Sequence, residues 1–260
     1  MIIIGEKINA SRKAIAAALE ARNVEVIVRT AQEQATAGAD YIDVNGGDPR
    51  PGAEAKNIVW LMELVQGCTD RPVSIDTADP QAAEAGLSMA SRKPILNSIS
   101  LEKHRLESLL PVAARRPCMV VALLMSDGGT PCGVDDRLAS AEKLVGHLTG
   151  AGKKLDEIIV DPCFLPVSAD AASGRAVIDA IAAIRRRWPE IHIGGGCSNI
   201  SYGLPKRRYV NFALLCQAIF HGMDTGLIDP CLPDILPIIA AAEAVAGRDE
   251  FCMNYVTRMR

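Results

Sequence analysis

Short runs of β-branched and other apolar residues recur eight times along the chain, separated by stretches whose apolar residues repeat at helical period. The runs are Ile2–Ile4, Tyr41–Val44, Val73–Ile75, Ile95–Leu96, Met119–Leu124, Ile158–Val160, Ile191–Ile193 and Gly226–Ile228. Short continuous apolar runs suit strands buried on both faces, the condition of a parallel sheet. Between them, Val24, Ile27, Val28, Ala31 and Ala35 form one helical stripe. Leu138, Ala141, Leu144, Val145 and Leu148 form a second, and Val177, Ile178, Ile181, Ile184 and Trp188 a third. Asp79-Pro80 reads as a helix opening, an N-cap acceptor followed by the ring that suits a first turn. Eight β-then-α units in about 250 residues predict an α/β fold, a (β/α)8 TIM barrel. No Gly/Ser/Pro-rich linker or long charge run divides the 260 residues, so residues 1–260 read as a single domain. The competing reading is a doubly wound open sheet, whose Gly-rich fingerprint follows an early strand. Gly5-Glu6-Lys7-Ile8-Asn9 lacks that fingerprint.

Composition narrows the function. With 28 Lys+Arg against 31 Asp+Glu the net charge is −3, and there are only 4 Phe, 4 Tyr and 2 Trp. That balance excludes a general nucleic-acid binder, which needs a basic face. No apolar run reaches the roughly 18 residues of a membrane span. The N-terminal Met1-Ile2-Ile3-Ile4 meets Glu6 and Lys7 at once, where a signal peptide needs basic residues ahead of a longer apolar stretch. A cytoplasmic protein without nucleic-acid or membrane partners is expected. The 8 cysteines form no Cys-x-x-Cys pair and read as small, reduced hydrophobes.

Polar residues close most of the apolar runs in a regular way. The second ends Asp43-Val44-Asn45, the third Asp76, the fourth Asn97, the sixth Asp161 and the seventh Ser198-Asn199. Glu6 and Asn9 come after the first run, and Asp229 after the last. In a barrel these carboxyl ends converge on one mouth, where active sites lie. Asp and Asn also cap helices and turns, and for Asp79 and Asp229 capping is the expected role. The mouth so assembled is rich in Asp and Asn and poor in Lys and Arg. A divalent cation on Asp43, Asp76 and Asp161 is one possible occupant, since hard cations take oxygen ligands. The neighbouring amides favour another, a neutral heterocycle with many donors and acceptors. A carboxylate can take two N–H groups from an amino-pyrimidinone edge such as that of a 2-amino-4-oxo-pterin, and Asn can both donate and accept. Gly194-Gly195-Gly196 offers either a phosphate site or close backbone approach to a flat ring, and the flat ring is favoured. His104, His147, His192 and His221 have no partner nearby in sequence that would make them general bases and read as structural. Lys153-Lys154 reads as a solvated turn at the opposite end of the barrel.

Several stretches together resemble the methyltetrahydrofolate:corrinoid methyltransferases of the pterin-binding, dihydropteroate synthase-like barrel family. They are Ile4-Gly5-Glu6-Lys7-Ile8-Asn9, Asp43-Val44-Asn45, Ser74-Ile75-Asp76-Thr77 and Ile95-Leu96-Asn97-Ser98, then Gly129-Thr130-Pro131, Val160-Asp161-Pro162 and Gly196-Cys197-Ser198-Asn199-Ile200-Ser201. Lys206-Arg207-Arg208 and Asn211 complete the set. The resemblance spans essentially the whole chain and keeps the order of the strand ends. Lys7 stands where many members have Arg, Cys197 where Leu is usual, and Tyr202 at a position that is variable or polar in some relatives. The resemblance implies a TIM barrel, usually a homodimer, with Asp76, Asn97 and Asp161 on the pterin and Asn199 near N5, the atom bearing the methyl group.

The expected substrate-binding set is Glu6, Asp43, Asn45, Asp76, Asn97, Asp161, Gly196, Ser198, Tyr202 and Arg207, with Asn199 as the catalytic group and no metal ligand. The expected activity moves a methyl group between N5 of tetrahydrofolate and the cobalt of a corrinoid (cobalamin). The chain has no Asp-x-His-x-x-Gly segment, so the corrinoid is expected on a separate protein. Dihydropteroate synthase is a second reading. It would need a basic Ser-Arg-Pro-Gly-like loop and an Arg-His pair near the last strand, and neither is present. A folate-binding module without turnover and a phosphate-binding isomerase are the remaining alternatives.

Overall fold

The structure, a computed structural model, describes residues 1–259. The chain begins β1 (Ile2–Asn9), α1 (Lys13–Glu20), α2 (Val24–Ala37), β2 (Tyr41–Asn45), α3 (Ala53–Cys68), β3 (Val73–Asp76), α4 (Pro80–Met89), β4 (Ile95–Leu101) and α5 (Lys103–Arg115). It continues β5 (Met119–Ser126), α6 (Gly133–Gly150), β6 (Ile158–Asp161), α7 (Ser173–Arg187), β7 (His192–Ile193), α8 (Arg208–His221), β8 (Thr225–Ile228), α9 (Ile235–Val245) and α10 (Met253–Met259). All strand pairs are parallel, in the order β7-β6-β5-β4-β3-β2-β1-β8. The seam between β7 and β8 closes through two backbone bonds, Asp224 N to Ile193 O (3.1 Å) and Leu227 N to Gly195 O (3.0 Å). The expected (β/α)8 barrel is the fold.

Strand alternation sorts the apolar residues into two cores. Ile4, Ile95, Met119, Val121 and Ile159 fill the barrel interior, with Ile2, Tyr41 and Leu227 packed against them. The alternate positions, among them Ile3, Ile42, Val44, Ile75, Leu96, Val120, Val160 and Ile193, face the surrounding helices in a second and larger core. The helices turn their apolar stripes to that layer. Leu144, Val145 and Leu148 of α6 and Val177, Ile181 and Ile184 of α7 are buried as their spacing predicts. On α2 the stripe is displaced: Val24 is exposed, and the buried face is Ile27, Ala31 and Gln34. Asp79 caps α4 by accepting from Gln81 N at 2.8 Å, with Pro80 in the first turn, as its dipeptide predicts.

Other differences from expectation have local causes. β1 runs on to Asn9, so Glu6 and Asn9 lie inside the strand; an irregularity between Gly5 and Ile8 keeps it paired to β2. β4 and β5 also extend past their apolar runs, to Leu101 and Ser126. Lys153 is not a solvated residue. It is buried, and its Nζ donates to Arg116 O at 2.9 Å and Cys118 O at 3.0 Å, so the long apolar stem carries the ammonium inward to two free carbonyls. Lys154 is exposed. All the cysteines are free thiols. Cys118, Cys163 and Cys197 are buried, whereas Cys132, Cys216 and Cys252 are exposed and do not act as core hydrophobes. No helix among the described residues is long and apolar enough to cross a membrane.

Candidate functional site

The same alternation that fills the barrel interior builds the site. Two residues on from an interior apolar side chain, toward the carboxyl end of the strand, lies the next inward position. That position is Glu6 after Ile4, Asp43 after Tyr41, Asn97 after Ile95, Asp161 after Ile159 and Asp229 after Leu227. Asn45 lies two further along β2, and on β3 the inward pair is Ser74 and Asp76. Below this polar layer is a void of about 20 Å3 bounded by Ile4, Asn97, Val121, Ile159, Asp161, Gly194, Gly195, Thr225 and Leu227. The apolar plug thus ends directly beneath Asn97 and Asp161.

Four of the expected residues form two adjacent hydrogen-bonded groups, one around Asp43 and one around Asp76. Asp43 accepts from Ser74 Oγ at 2.6 Å and Asn97 Nδ2 at 3.3 Å. Asp76 Oδ2 accepts from Asn45 Nδ2 at 3.1 Å and Asn9 Nδ2 at 3.4 Å, and Asn45 Nδ2 also reaches the Asp76 carbonyl at 3.2 Å. Asp161 stands apart from both; its Oδ1 accepts from the backbone N–H of Cys163 at 2.9 Å. Ser74 and Glu54 were not among the expected site residues. Ser74 is the inward neighbour of Asp76 and stands in the Ser74-Ile75-Asp76-Thr77 stretch, which was the available signal, whereas Glu54 carries no strand-end signal because it lies on α3.

The carboxyl groups share an electrostatic condition. Burial pushes Asp43 well above the ordinary carboxylate value, reinforced by the charge of Asp76 and only partly offset by the bonds from Ser74 and Asn97. Burial raises Asp76 to about 6, with Glu54 adding to the shift and the Asn45 bond opposing it. Asp161 also rises to about 6 through burial, against the N–H groups of Cys163 and Gly196. Glu6 reaches about 6 by burial and the charge of Asp229, against Arg12 and Arg207. Desolvated carboxyl groups poised near neutrality mark a site that either takes up protons or receives hydrogen-bond donors from a ligand. Among the described residues, no group of three or more His, Cys, Asp or Glu side chains is arranged to hold a metal ion. The donor set suits a planar N–H-rich edge, with carboxylates as acceptors and amides free to act either way.

The remaining expected residues lie beyond β7. A 3-10 turn, Cys197–Ser201, carries Ser198 and Asn199. Asn199 is exposed there, and its Nδ2 would stand 3.1 Å from a Cβ on Gly196. Arg207 ties the turn down, Nε donating to Ser201 Oγ at 2.9 Å and Nη2 to Ser198 O at 2.5 Å. Tyr202 closes the turn and is 67% exposed. Two glycines of the run also have packing reasons of their own. A Cβ at Gly194 would meet Thr225 O at 1.8 Å, and one at Gly195 would meet Asp161 Oδ2 at 1.9 Å. The first glycine lets the barrel close and the second makes room for a site carboxylate. Asp229 accepts from Cys231 N at 3.0 Å, the turn-capping role expected of it, while its charge also reaches Glu6. His192 pairs with Asp224 at 3.1 Å and His221 with the Gln217 carbonyl at 2.8 Å, away from the mouth.

Residues 5–229 match the family described as pterin binding enzyme. The chain belongs to that family. It is 33% identical to the methylcorrinoid:tetrahydrofolate methyltransferase of Eubacterium limosum, over 100% of this chain and 96% of that protein. It is 25% identical to the methionine synthase of Mycobacterium leprae (strain TN), over 92% of this chain but only 21% of that much longer protein. In fold it is similar to a dihydropteroate synthase from Coxiella burnetii solved in complex with pteroic acid, with a TM-score of 0.75. That likeness covers 95% of this chain and 94% of the other at 14% identity, and it speaks to fold alone.

Proposed function

We propose that this pterin-binding barrel is a methyltransferase that moves a methyl group between N5 of tetrahydrofolate and the cobalt of a corrinoid held by a partner protein. The observation that carries the reading is the group of Asp43, Asn45, Asp76, Asn97 and Asp161 on inward strand positions, its carboxyl groups desolvated so far that burial outweighs the charges of Arg105 and Arg137. The full-length likeness to the Eubacterium limosum protein supports methyl transfer over the other reactions a pterin barrel could host.

Asp76, Asn97 and Asp161 would hold the pterin edge. A carboxylate that gains two N–H donors recovers the solvation it lost on folding, so ligand binding lowers the raised carboxyl pKa values. The reduced folate would supply the nitrogen that carries or receives the methyl group, and the partner's corrinoid the metal that exchanges with it. Asn199, an uncharged amide on an exposed turn, can donate to the lone pair of N5 or accept from its proton, so it serves both directions without trapping an ion pair. A tertiary amine is a poor leaving group, and electrophilic help at that nitrogen lowers the barrier to an in-line displacement. Glu6, Ser198, Gly196, Tyr202 and Arg207 line the β1 and β7 side, where Arg207 fixes the turn that presents Asn199. We read residues 1–260 as one pterin-binding domain, working as a homodimer in the cytoplasm.

Incubating the protein with methyltetrahydrofolate and cob(I)alamin, and in the opposite sense with methylcobalamin and tetrahydrofolate, tests the reading through the cobalamin absorption spectrum. Methyl transfer is expected in at least one direction. Asn199→Ala should lower the turnover number by about tenfold to a hundredfold, the loss of one hydrogen bond worth about 1–3 kcal/mol. Correctly folded protein that transfers no methyl group either way refutes the activity. Release of pyrophosphate from a pterin diphosphate with p-aminobenzoate would assign dihydropteroate synthesis instead.

A further inference from the structure

Arg137 is the largest side chain to be wholly enclosed, and it is the wrong kind of residue for an apolar interior. It lies on α6, 1% exposed, on the same face as Ala141, Leu144, Val145 and Leu148. Its hydrogen bonds go to backbone carbonyls and not to a carboxylate. Nη1 donates to Gly133 O at 2.8 Å, at the start of its own helix. Nε donates to Pro162 O at 2.7 Å and Nη2 to Cys163 O at 3.1 Å. A buried guanidinium is costly unless its donors are satisfied, and here two of the three acceptors belong to the loop that leaves β6.

That loop has an unusual backbone. In extended chain, successive carbonyls point to opposite sides. Two consecutive ones can meet a single guanidinium here because Cys163 adopts a left-handed conformation, φ 60°, rare for a residue with a side chain. The same residue faces the site from its other end. Its N–H donates to Asp161 Oδ1 at 2.9 Å, while Asp161 Oδ2 sits where a Cβ on Gly195 would be. One peptide unit away from the guanidinium, therefore, is the donor that orients the carboxylate.

We propose that Arg137 is a positioning residue for the site: by holding the carbonyls of Pro162 and Cys163, it keeps the Cys163 N–H aimed at Asp161 and thereby keeps that carboxylate turned into the barrel mouth. Arg137 touches no substrate. Its action runs through the strained turn at Cys163. The proposal rests on the folate reading, because its main readout is folate affinity. The charged and titratable groups around this unit are Asp161, Cys163, Cys132 and Asp136, and none of them pairs with Arg137 in a salt bridge.

The test compares the full-length wild type with Arg137→Met and Arg137→Lys. Affinity for methyltetrahydrofolate is measured by titration calorimetry across pH 5–8, and turnover at saturating folate. Backbone hydrogen exchange over residues 161–164 is measured without ligand. In the methionine variant we expect about a tenfold rise in Kd, with turnover at saturation changed by less than about threefold. The pH midpoint of folate binding should move upward in both variants, because a carboxylate deprived of an N–H donor is harder to ionise, and further in the methionine variant, which also loses the guanidinium charge. Exchange at residues 161–164 should quicken more than over α6. Adding Cys163→Gly to Arg137→Met should recover part of the affinity, since glycine keeps a left-handed turn without a clamp. A lower melting temperature with unchanged Kd, pH midpoint and local exchange would reduce Arg137 to a core residue and overturn the proposal. If the methionine variant fails to fold, Arg137→Lys, which keeps the charge but has one nitrogen in place of the three that hold Gly133 O, Pro162 O and Cys163 O, gives the same readings in weaker form. Wild-type protein that binds no folate overturns the folate reading and this inference together, whereas wild-type binding with unaltered variants overturns this inference alone.

Discussion

The two ends of this barrel use the same residue type to opposite effect. At the amino ends of the strands, Asp224 accepts from Ile193 N at 2.8 Å, and its Oδ2 meets His192 Nδ1 at 3.1 Å and Arg185 Nη2 at 3.0 Å. Burial presses its pKa upward, but the His192 and backbone bonds and the charges of His192 and Arg185 together hold it below the ordinary value. At the carboxyl ends, burial acts on Asp161, Asp76 and Asp43 as well; the charges of Arg137 on Asp161 and of Arg105 on Asp76 do not outweigh it, and all three rise. Arg185 also donates to the Gly222 and Ile191 carbonyls, Lys153 to those of Arg116 and Cys118, and the terminal ammonium of Met1 meets Glu243 at 2.5 Å. One end is closed upon itself. The other has acceptors left over for a visitor, the division between stability and activity that barrels of this type show.

Substitutions can break that contrast, and the largest effect is expected at the seam. Gly194→Ala would drive a methyl group into the Thr225 carbonyl, so strands must part; a stability loss of about 3 kcal/mol or more is expected in chemical denaturation. Gly195→Ala, its neighbour, drives its methyl group into the Asp161 side chain and not into backbone, and should weaken folate binding more than it destabilises the fold. Asp224→Ala strands a partly buried Arg185 and the Ile193 N–H, which should cost about 2–3 kcal/mol and lower the melting temperature by several degrees. Folate affinity of the protein that remains folded should not change; a large change would erase the distinction between the two ends. Asp161→Ala is expected to do the reverse, raising the folate dissociation constant by about fivefold to a hundredfold while the melting temperature holds.

The smallest effect is on pH dependence. Below pH 4 the Asp161 carboxyl is protonated in folded and unfolded chain alike. Between about 4 and 6 the unfolded chain releases the proton that the folded one keeps, so stability falls as pH rises through that window. Asp161→Asn abolishes this slope, and above pH 6 the variant should exceed wild type by about 1–2 kcal/mol in denaturant melts without ligand. Equal stability of the two proteins at pH 7.5 would mean that the mouth carboxylate bears no desolvation cost.

Much of this was legible in the sequence because alternation and order are local properties. The eight apolar runs mark the strands, and a polar residue at the inward position past most of them marks the mouth. Arg137 was missed for a physical reason: a lone arginine ahead of Leu138 looks like a solvated helix residue. Its spacing to Ala141, Leu144 and Leu148 puts it on the buried face, and that was the available signal. Lys153 was misread in the same way, because sequence does not reveal which carbonyls a long stem can reach. The reasons for Gly194 and Gly195 lie on β8 and β6, beyond any local pattern.

The apolar filling beneath Asn97 and Asp161 leaves room for no more than a single water molecule, so the barrel axis is a stopper and not a passage. Traffic therefore uses one doorway. In the proposed reaction, a small planar reactant seated on the stopper would have to be in place before a bulky macrocycle on its carrier covered the entrance, and would depart only after the carrier had withdrawn.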